Sequence, residues 1–201
     1  MHPNPAFRCL PETRHLAFAR DRAFGVLSVN GADSPLLSHV PFLLSDDGSE
    51  VDFHLLRSNP IARAGGGRAV IAVSGPDGYV SPDWYGIDDQ VPTWNYLAVH
   101  LRGRIEPLPD DALRDMLDRQ SAFYEAQLAQ KSPWTTGKMT PEVLDRMMRA
   151  IKPFRLQIDK VEGTWKLNQN KDDAVRLAAA EQIAKGMGQE LKALSRLMRD
   201  V

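Results

Sequence analysis

Two turn signals near the N-terminus constrain the fold more than any other feature. Asn30-Gly31 falls between an apolar run at 24–29 and a second at 36–44. Asp46-Asp47-Gly48 separates that second run from a third, in which Val51, Phe53 and Leu55 alternate with Asp52, His54 and Leu56. Turns rich in Asn, Asp and Gly join antiparallel strands, because those residues accept the positive φ that a tight hairpin needs. A doubly wound sheet requires a long crossover between consecutive strands instead. Two hairpins in succession therefore predict an antiparallel sheet.

The rest of the chain extends this plan. Residues 11–21 carry a helix signal, with Pro11 at the first turn and Leu16, Ala17 and Ala19 as a short apolar face. Asn59-Pro60 opens a short helical turn that Gly65-Gly66-Gly67 stops, and the apolar run 69–73 predicts a central strand. Residues 75–92, rich in Gly, Pro, Asp and aromatics, predict a long loop of the kind that carries function. Residues 93–105 predict a long strand with Leu97, Val99, Leu101 and Ile105 on one face and Trp94, Tyr96 and His100 on the other. Residues 110–128 predict a helix with Asp110 as N-cap and Leu113, Met116, Leu117, Phe123, Tyr124 and Leu128 at helical spacing. A helix over 140–148 follows, then a strand around Phe154, Leu156 and Ile158, then helices over 171–184 and 189–198. The expected architecture is mainly β within an α+β class. It has a barrel-like core of about six antiparallel strands, which leaves few exposed edges, with peripheral and C-terminal helices. We expect residues 1–170 to form the barrel, with helices inserted at about 110–150, and 171–201 to form a helical extension.

Composition excludes several function classes. The 201 residues carry a net charge of −1, so nothing in the balance favours a basic nucleic-acid face. Cys9 is the one cysteine, which rules out an intrachain disulfide and fits a reducing compartment. There is no apolar run of about 20 residues for a membrane span. No signal-peptide run occupies residues 1–9, and the expected location is cytoplasmic. His39, His54 and His100 lie on separate predicted strands without zinc-ligand spacing, so no metal is expected. Neither a dinucleotide fingerprint nor a phosphate-binding glycine loop is present.

Four segments hold candidate binding chemistry. Arg57-Ser58-Asn59-Pro60 joins a strand to a helical turn, where an N-cap and a guanidinium outline a phosphate or carboxylate site, or else an ordinary capped helix. Thr93-Trp94-Asn95-Tyr96 groups rings, a hydroxyl and an amide that suit a planar heterocycle or an aromatic core. Ser38-His39-Val40-Pro41 places a proline inside a strand, which means an edge, a bulge or a bend. Lys166-Leu167-Asn168-Gln169-Asn170-Lys171 is a polar turn whose amides and ammonium groups suit an anion, or simply solvent.

Taken together and in order, these segments resemble the PaiB family, described as FMN-binding negative transcriptional regulators. Ser81-Pro82-Asp83-Trp84-Tyr85, Val91-Pro92-Thr93-Trp94-Asn95-Tyr96 with Ala98-Val99-His100, and the 166–171 stretch carry the likeness. His39-Val40-Pro41 and His54-Leu55-Leu56-Arg57-Ser58-Asn59-Pro60 are similar to two further family elements. The resemblance runs from Phe24 to the C-terminal helices. It implies an FMN-binding split β-barrel like that of pyridoxamine-phosphate oxidases and flavin reductases, and a homodimer with flavin sites at the interface. By position, Arg57, Ser58 and Asn59 would hold the FMN phosphate. Ser38, His39 and Val40 would line the isoalloxazine edge. Thr93, Trp94 and Asn95 would approach from a neighbouring strand, and Lys166 and Gln169 would complete the contacts.

Three functions follow from these readings. The first is a flavin-dependent redox protein, with FMN as cofactor and no residue that stands out as acid or base. His39 and His100 are the candidate proton relays. The second is a regulatory protein, to which the family resemblance points. Direct nucleic-acid contact has weak support, since basic Lys185, Lys192, Arg196 and Arg199 are interspersed with Glu181, Glu190 and Asp200. The third is a non-flavin ligand-binding module using the same phosphate site.

Overall fold

The computed structural model describes residues 1–128 and 130–201. Six long strands carry the fold: β1 (Phe24–Val29), β2 (Leu36–Pro41), β4 (Glu50–Leu56), β5 (Gly67–Val80), β6 (Thr93–Pro107) and β7 (Ile151–Lys166). Two short ones join them, β3 (Leu43–Leu44) and β8 (Gly188–Gln189). They form one sheet in the order β2-β1-β5-β6-β7-β4-β3, with β8 paired to β5 off that path. β1 pairs antiparallel with β2 and β5, and β4 with β3 and β7, in line with the two N-terminal turn signals. The helices are α1 (Glu12–Arg22), α2 (Pro60–Ala64), α3 (Ala112–Glu125), α4 (Pro141–Met148), α5 (Asp173–Ile183) and α6 (Leu191–Arg199). Among the described residues no helix is long and apolar enough to cross a membrane.

The chain divides into two compact units. The larger comprises Leu16–Ala72 and Leu101–Lys160, and the smaller Met1–His15, Val73–His100 and Val161–Val201. In the larger unit Leu27, Phe42, Phe53, Ile71, Met116 and Phe154 are fully buried. Phe53 and Phe154 are cross-strand partners, with rings 5.9 Å apart and 14° from parallel. Their neighbours Asp52 and Arg155 also face each other across the ladder. Asp52 is 5% exposed, and it accepts from Arg155 Nε at 2.7 Å and a terminal nitrogen of Arg155 at 3.0 Å. Arg119 on α3 donates to the same carboxylate at 3.1 Å, so the helix is tied to the sheet through a satisfied buried charge. In the smaller unit Leu97 and Val99 of β6 are buried, as are Ala179, Ala180, Ile183, Leu194 and Met198 of α5 and α6.

Five expectations are corrected. The run 36–44 is two strands: β2 ends at Pro41, Phe42 N–H donates to the Ala23 carbonyl at 2.9 Å, and β3 pairs with β4 instead of β1. Pro41 marks a bend that changes strand partner. The expected loop at 75–92 begins later, because β5 continues to Val80, where Asp77 and Gly78 pair with Gln189 and Gly188 of β8. On α1 the buried positions are His15 and Ala19, one turn apart, whereas Ala17 is exposed. On α3 the helix ends at Glu125, leaving Leu128 51% exposed. The N-cap of α3 is Asp111, without a side-chain cap bond, and the Asp110 carboxylate is engaged by Arg57 instead.

Candidate functional site

The candidate residues form one group in each unit. In the larger unit β4 delivers Arg57-Ser58-Asn59 at its end. Asn59 caps α2 as its sequence requires: Oδ1 accepts from Ile61 N–H at 2.9 Å, and Pro60 fills the first turn. Gly65 then ends the helix in the left-handed region at φ 76°. The other end of the Asn59 amide donates from Nδ2 to Ser38 Oγ at 3.2 Å, so β2 and the 57–59 turn meet through these two side chains. Along β2 the side chains alternate. Ser38 faces Asn59, His39 is exposed beside the Phe24 ring at 6.3 Å, and Val40 is buried at 1% exposure. Val40 can meet a ligand only through its backbone.

Arg57 is firmly oriented. Its backbone N–H donates to the Ala150 carbonyl at 2.9 Å, and Nε donates to the Arg149 carbonyl at 3.0 Å. A terminal nitrogen donates to Asp110 Oδ2 at 2.8 Å. The pair is exposed, 43% for Arg57 and 63% for Asp110, so it contributes about 0–1 kcal/mol to stability. Beside it lies a cavity of about 250 Å³ lined by Arg57, Asp110, Leu113, Asp145, Met148 and Arg149.

In the smaller unit Lys166, the last residue of β7, donates from Nζ to Thr93 Oγ1 at the start of β6. Nζ also lies 6.0 Å from the centre of the Phe7 ring. Burial lowers the Lys166 pKa, because a desolvated ammonium is disfavoured. Trp94 donates from Nε1 to Asp77 at 3.2 Å and meets Tyr79 edge-on at 6.3 Å. Asn95 points to the opposite side of β6, with Leu97 and Val99. It is fully buried, its Nδ2 lies 3.5 Å from Met198 Sδ, and its Oδ1 finds no hydrogen-bond partner among the described residues. Trp94 and Asn95 therefore present their side chains to different surroundings.

The 166–171 turn is self-braced. Gln169 Oε1 accepts from Leu167 N–H at 2.8 Å, and its Nε2 donates to the Trp165 carbonyl, so both ends of that amide serve the turn itself. Asn168 sits at φ 65° and donates to Tyr85 Oη at 3.3 Å. Lys171 Nζ lies 4.3 Å from the Tyr85 ring centre. Tyr85 is 3% exposed, and its pKa is raised by burial. It closes a 3-10 turn, Pro82–Tyr85, that Ser81 caps. Beneath β7, Trp165 Nε1 donates to His15 Nδ1 at 3.0 Å, and burial lowers the His15 pKa. From sequence, Asp110 is expected only as a helix cap, Tyr85 only as part of the 81–85 stretch and His15 not at all, since each acts through a partner 53 or more residues away.

The donor set at the 57–59 turn fits a phosphate. A guanidinium, a hydroxyl and an amide occur on consecutive residues, and the amide is positioned by both its oxygen and its nitrogen.

The model of the family described as "Putative FMN-binding domain" matches residues 1–160. Protease synthase and sporulation protein PAI 2 of Bacillus subtilis is 27% identical over 187 residues, 91% of this chain and 89% of that protein. Among solved structures, the FAD and heme binding protein from Mycobacterium smegmatis aligns with a TM-score of 0.59 at 20% identity, covering 90% of this chain and 82% of that one. The flavocytochrome Anf3 from Azotobacter vinelandii aligns with a TM-score of 0.52 at 16% identity, covering 76% and 66%. These likenesses carry the fold: an α+β, mainly β split barrel with added helices.

Proposed function

Because this chain belongs to the family of the "Putative FMN-binding domain", we propose that it binds FMN and acts as a PaiB-type redox or regulatory flavoprotein. We further propose that it is a cytoplasmic homodimer with flavin sites at the subunit interface. The observation that carries the reading is the turn after β4, where Arg57, Ser58 and Asn59 offer consecutive donors and Asn59 is bound to Ser38. In this reading Arg57, Ser58 and Asn59 hold the phosphate. Ser38, His39 and the Val40 backbone line the ring edge. Thr93, Trp94 and the Asn95 backbone are assigned to the ring, and Lys166 to phosphate or ring contacts, by resemblance to the family; Gln169 is assigned with Lys166 on the same ground, and its amide would first have to leave the turn that it braces.

Bound FMN supplies the electron chemistry, and the protein supplies placement and electrostatics. His39, exposed beside Phe24, is assigned to the ring edge by resemblance and would hold a proton there. The regulatory role rests on the PaiB resemblance, and FMN-dependent oxidoreductase activity on the chemistry of the cofactor.

Support for the dimer comes from the outer face of the β1–β2 hairpin. Phe24 and Leu37 are 53% and 63% exposed, and they share that face with exposed His39 and Pro41. An apolar row beside an edge strand invites a partner. The visible spectrum of the purified protein, with and without added FMN, tests the cofactor. Flavin absorbance that is retained or acquired supports it, and a protein that stays colourless in excess FMN rejects it. Light scattering should give twice the 22.4 kDa chain mass. A monomer that still binds FMN would reject the interface site.

A further inference from the structure

We propose that Asp110 is an intramolecular stand-in for the ligand's phosphate, occupying Arg57 until a doubly charged anion displaces it. This role rests on the reading of Arg57 as the phosphate grip. It adds a residue that sets how tightly that grip closes.

The geometry points to exchange rather than to a fixed structural pair. Two backbone carbonyls, those of Ala150 and Arg149, hold the Arg57 main chain and Nε, so the guanidinium keeps its orientation whatever occupies its outer edge. The outer edge is where Asp110 Oδ2 sits, at 2.8 Å. A guanidinium fork matches carboxylate and phosphate oxygens with the same geometry, so a place that suits one suits the other.

Asp110 itself is anchored by its backbone, whose carbonyl accepts from Leu113 N–H at 3.3 Å. Its side chain does not cap α3, which begins after Asp111. The carboxylate can therefore leave Arg57 without unravelling the helix. Both partners are substantially exposed, so water takes over the carboxylate when it leaves and little is lost.

Charge decides the competition. A phosphate monoester carries close to two negative charges at neutral pH against one for Asp110, so it wins the guanidinium where a singly charged anion gains little. Asp110 thereby weakens every anion at Arg57 by the same factor, which lowers affinity without changing the preference the guanidinium already has for higher charge.

Wild type, Asp110→Asn, Asp111→Asn and Arg57→Ala are each titrated with FMN and with riboflavin, which lacks the phosphate, by quenching of flavin fluorescence. Asp110→Asn is expected to bind FMN about two- to fivefold tighter, the range of an exposed ion pair, with riboflavin affinity unchanged. Asp111→Asn removes the same charge one residue away without touching Arg57, and it should leave FMN affinity unchanged. If Asp110→Asn gains nothing, gains equally for riboflavin, or gains no more than Asp111→Asn, the stand-in role is overturned. The phosphate grip survives that result provided Arg57→Ala binds FMN more weakly. If Arg57→Ala binds FMN as tightly as wild type, both the grip and the stand-in are overturned.

Discussion

The two candidate cations meet opposite surroundings. In the larger unit Arg57 is exposed, braced by two carbonyls and matched by Asp110. In the smaller unit Lys166 is partly buried beside a hydroxyl and a ring, with no carboxylate paired to it among the described residues. Its pKa is lowered by desolvation, as expected of a charge that water serves poorly and no counter-ion compensates. The contrast separates two ways of preparing a site for an anion. A matched arginine exchanges one anion for another, so each arriving ligand must displace the resident carboxylate. An unmatched lysine is improved by any anion that arrives, and it costs stability until one does.

Substitutions in each unit test this contrast. The largest effect is expected in the smaller unit at Gly163, where an added Cβ would lie 2.2 Å from His15 Cε1. Gly163→Ala should destabilise the protein by about 1–3 kcal/mol in urea unfolding, because the buried ring cannot yield without breaking its bond to Trp165. Unchanged stability would mean that the strand carrying Lys166 is not braced by His15. Next is Asn59→Ala in the larger unit, which removes the α2 cap and the contact to Ser38. A loss of about 1 kcal/mol is expected, and no loss would leave the 57–59 turn without its proposed brace.

The bracing around His15 should also respond to pH. Its folded pKa lies below the ordinary 6.5, with burial as the main cause, so the folded state favours the neutral ring that accepts from Trp165. The stability this contributes is fully present above 6.5 and is lost as pH falls from there through the folded value. Unfolding midpoints measured from about pH 7.5 down to about pH 5 should decline in wild type, and less steeply in His15→Gln. Equal slopes would remove His15 as the cause. The smallest effect is that of Lys166→Met, which should raise the melting temperature slightly by deleting an uncompensated charge. A lowered melting temperature would show that the lysine is already satisfied by Thr93 and Phe7.

How much of this was legible depended on distance along the chain. The hairpin turns, the Asn59-Pro60 cap and the Pro141–Met148 helix are written in neighbouring residues, and the structure follows them. The apolar face of β6 was equally readable, since Leu97, Val99, Leu101 and Ile105 obey the strand period. Asn95 falls on that same face by the same period, which is why its side chain parts company with Trp94. The end of β5 was not readable. Gly75, Pro76 and Gly78 look like a turn, yet Asp77 and Gly78 pair with β8, which comes from residues 188–189. Asp110 carries a good capping residue type at a helix start, and only a partner 53 residues earlier in the chain diverts it. Gln169 looked available for a ligand, but its own turn uses both ends of the amide.

Whether the turn after β4 receives the phosphate of FMN is decided by comparing the affinities of FMN and riboflavin in wild type and Arg57→Ala by calorimetry. Wild type should prefer FMN, and Arg57→Ala should lose about 1–3 kcal/mol of FMN binding with riboflavin unaffected. Equal affinity of the wild-type protein for the two flavins, with or without the arginine, would contradict the account.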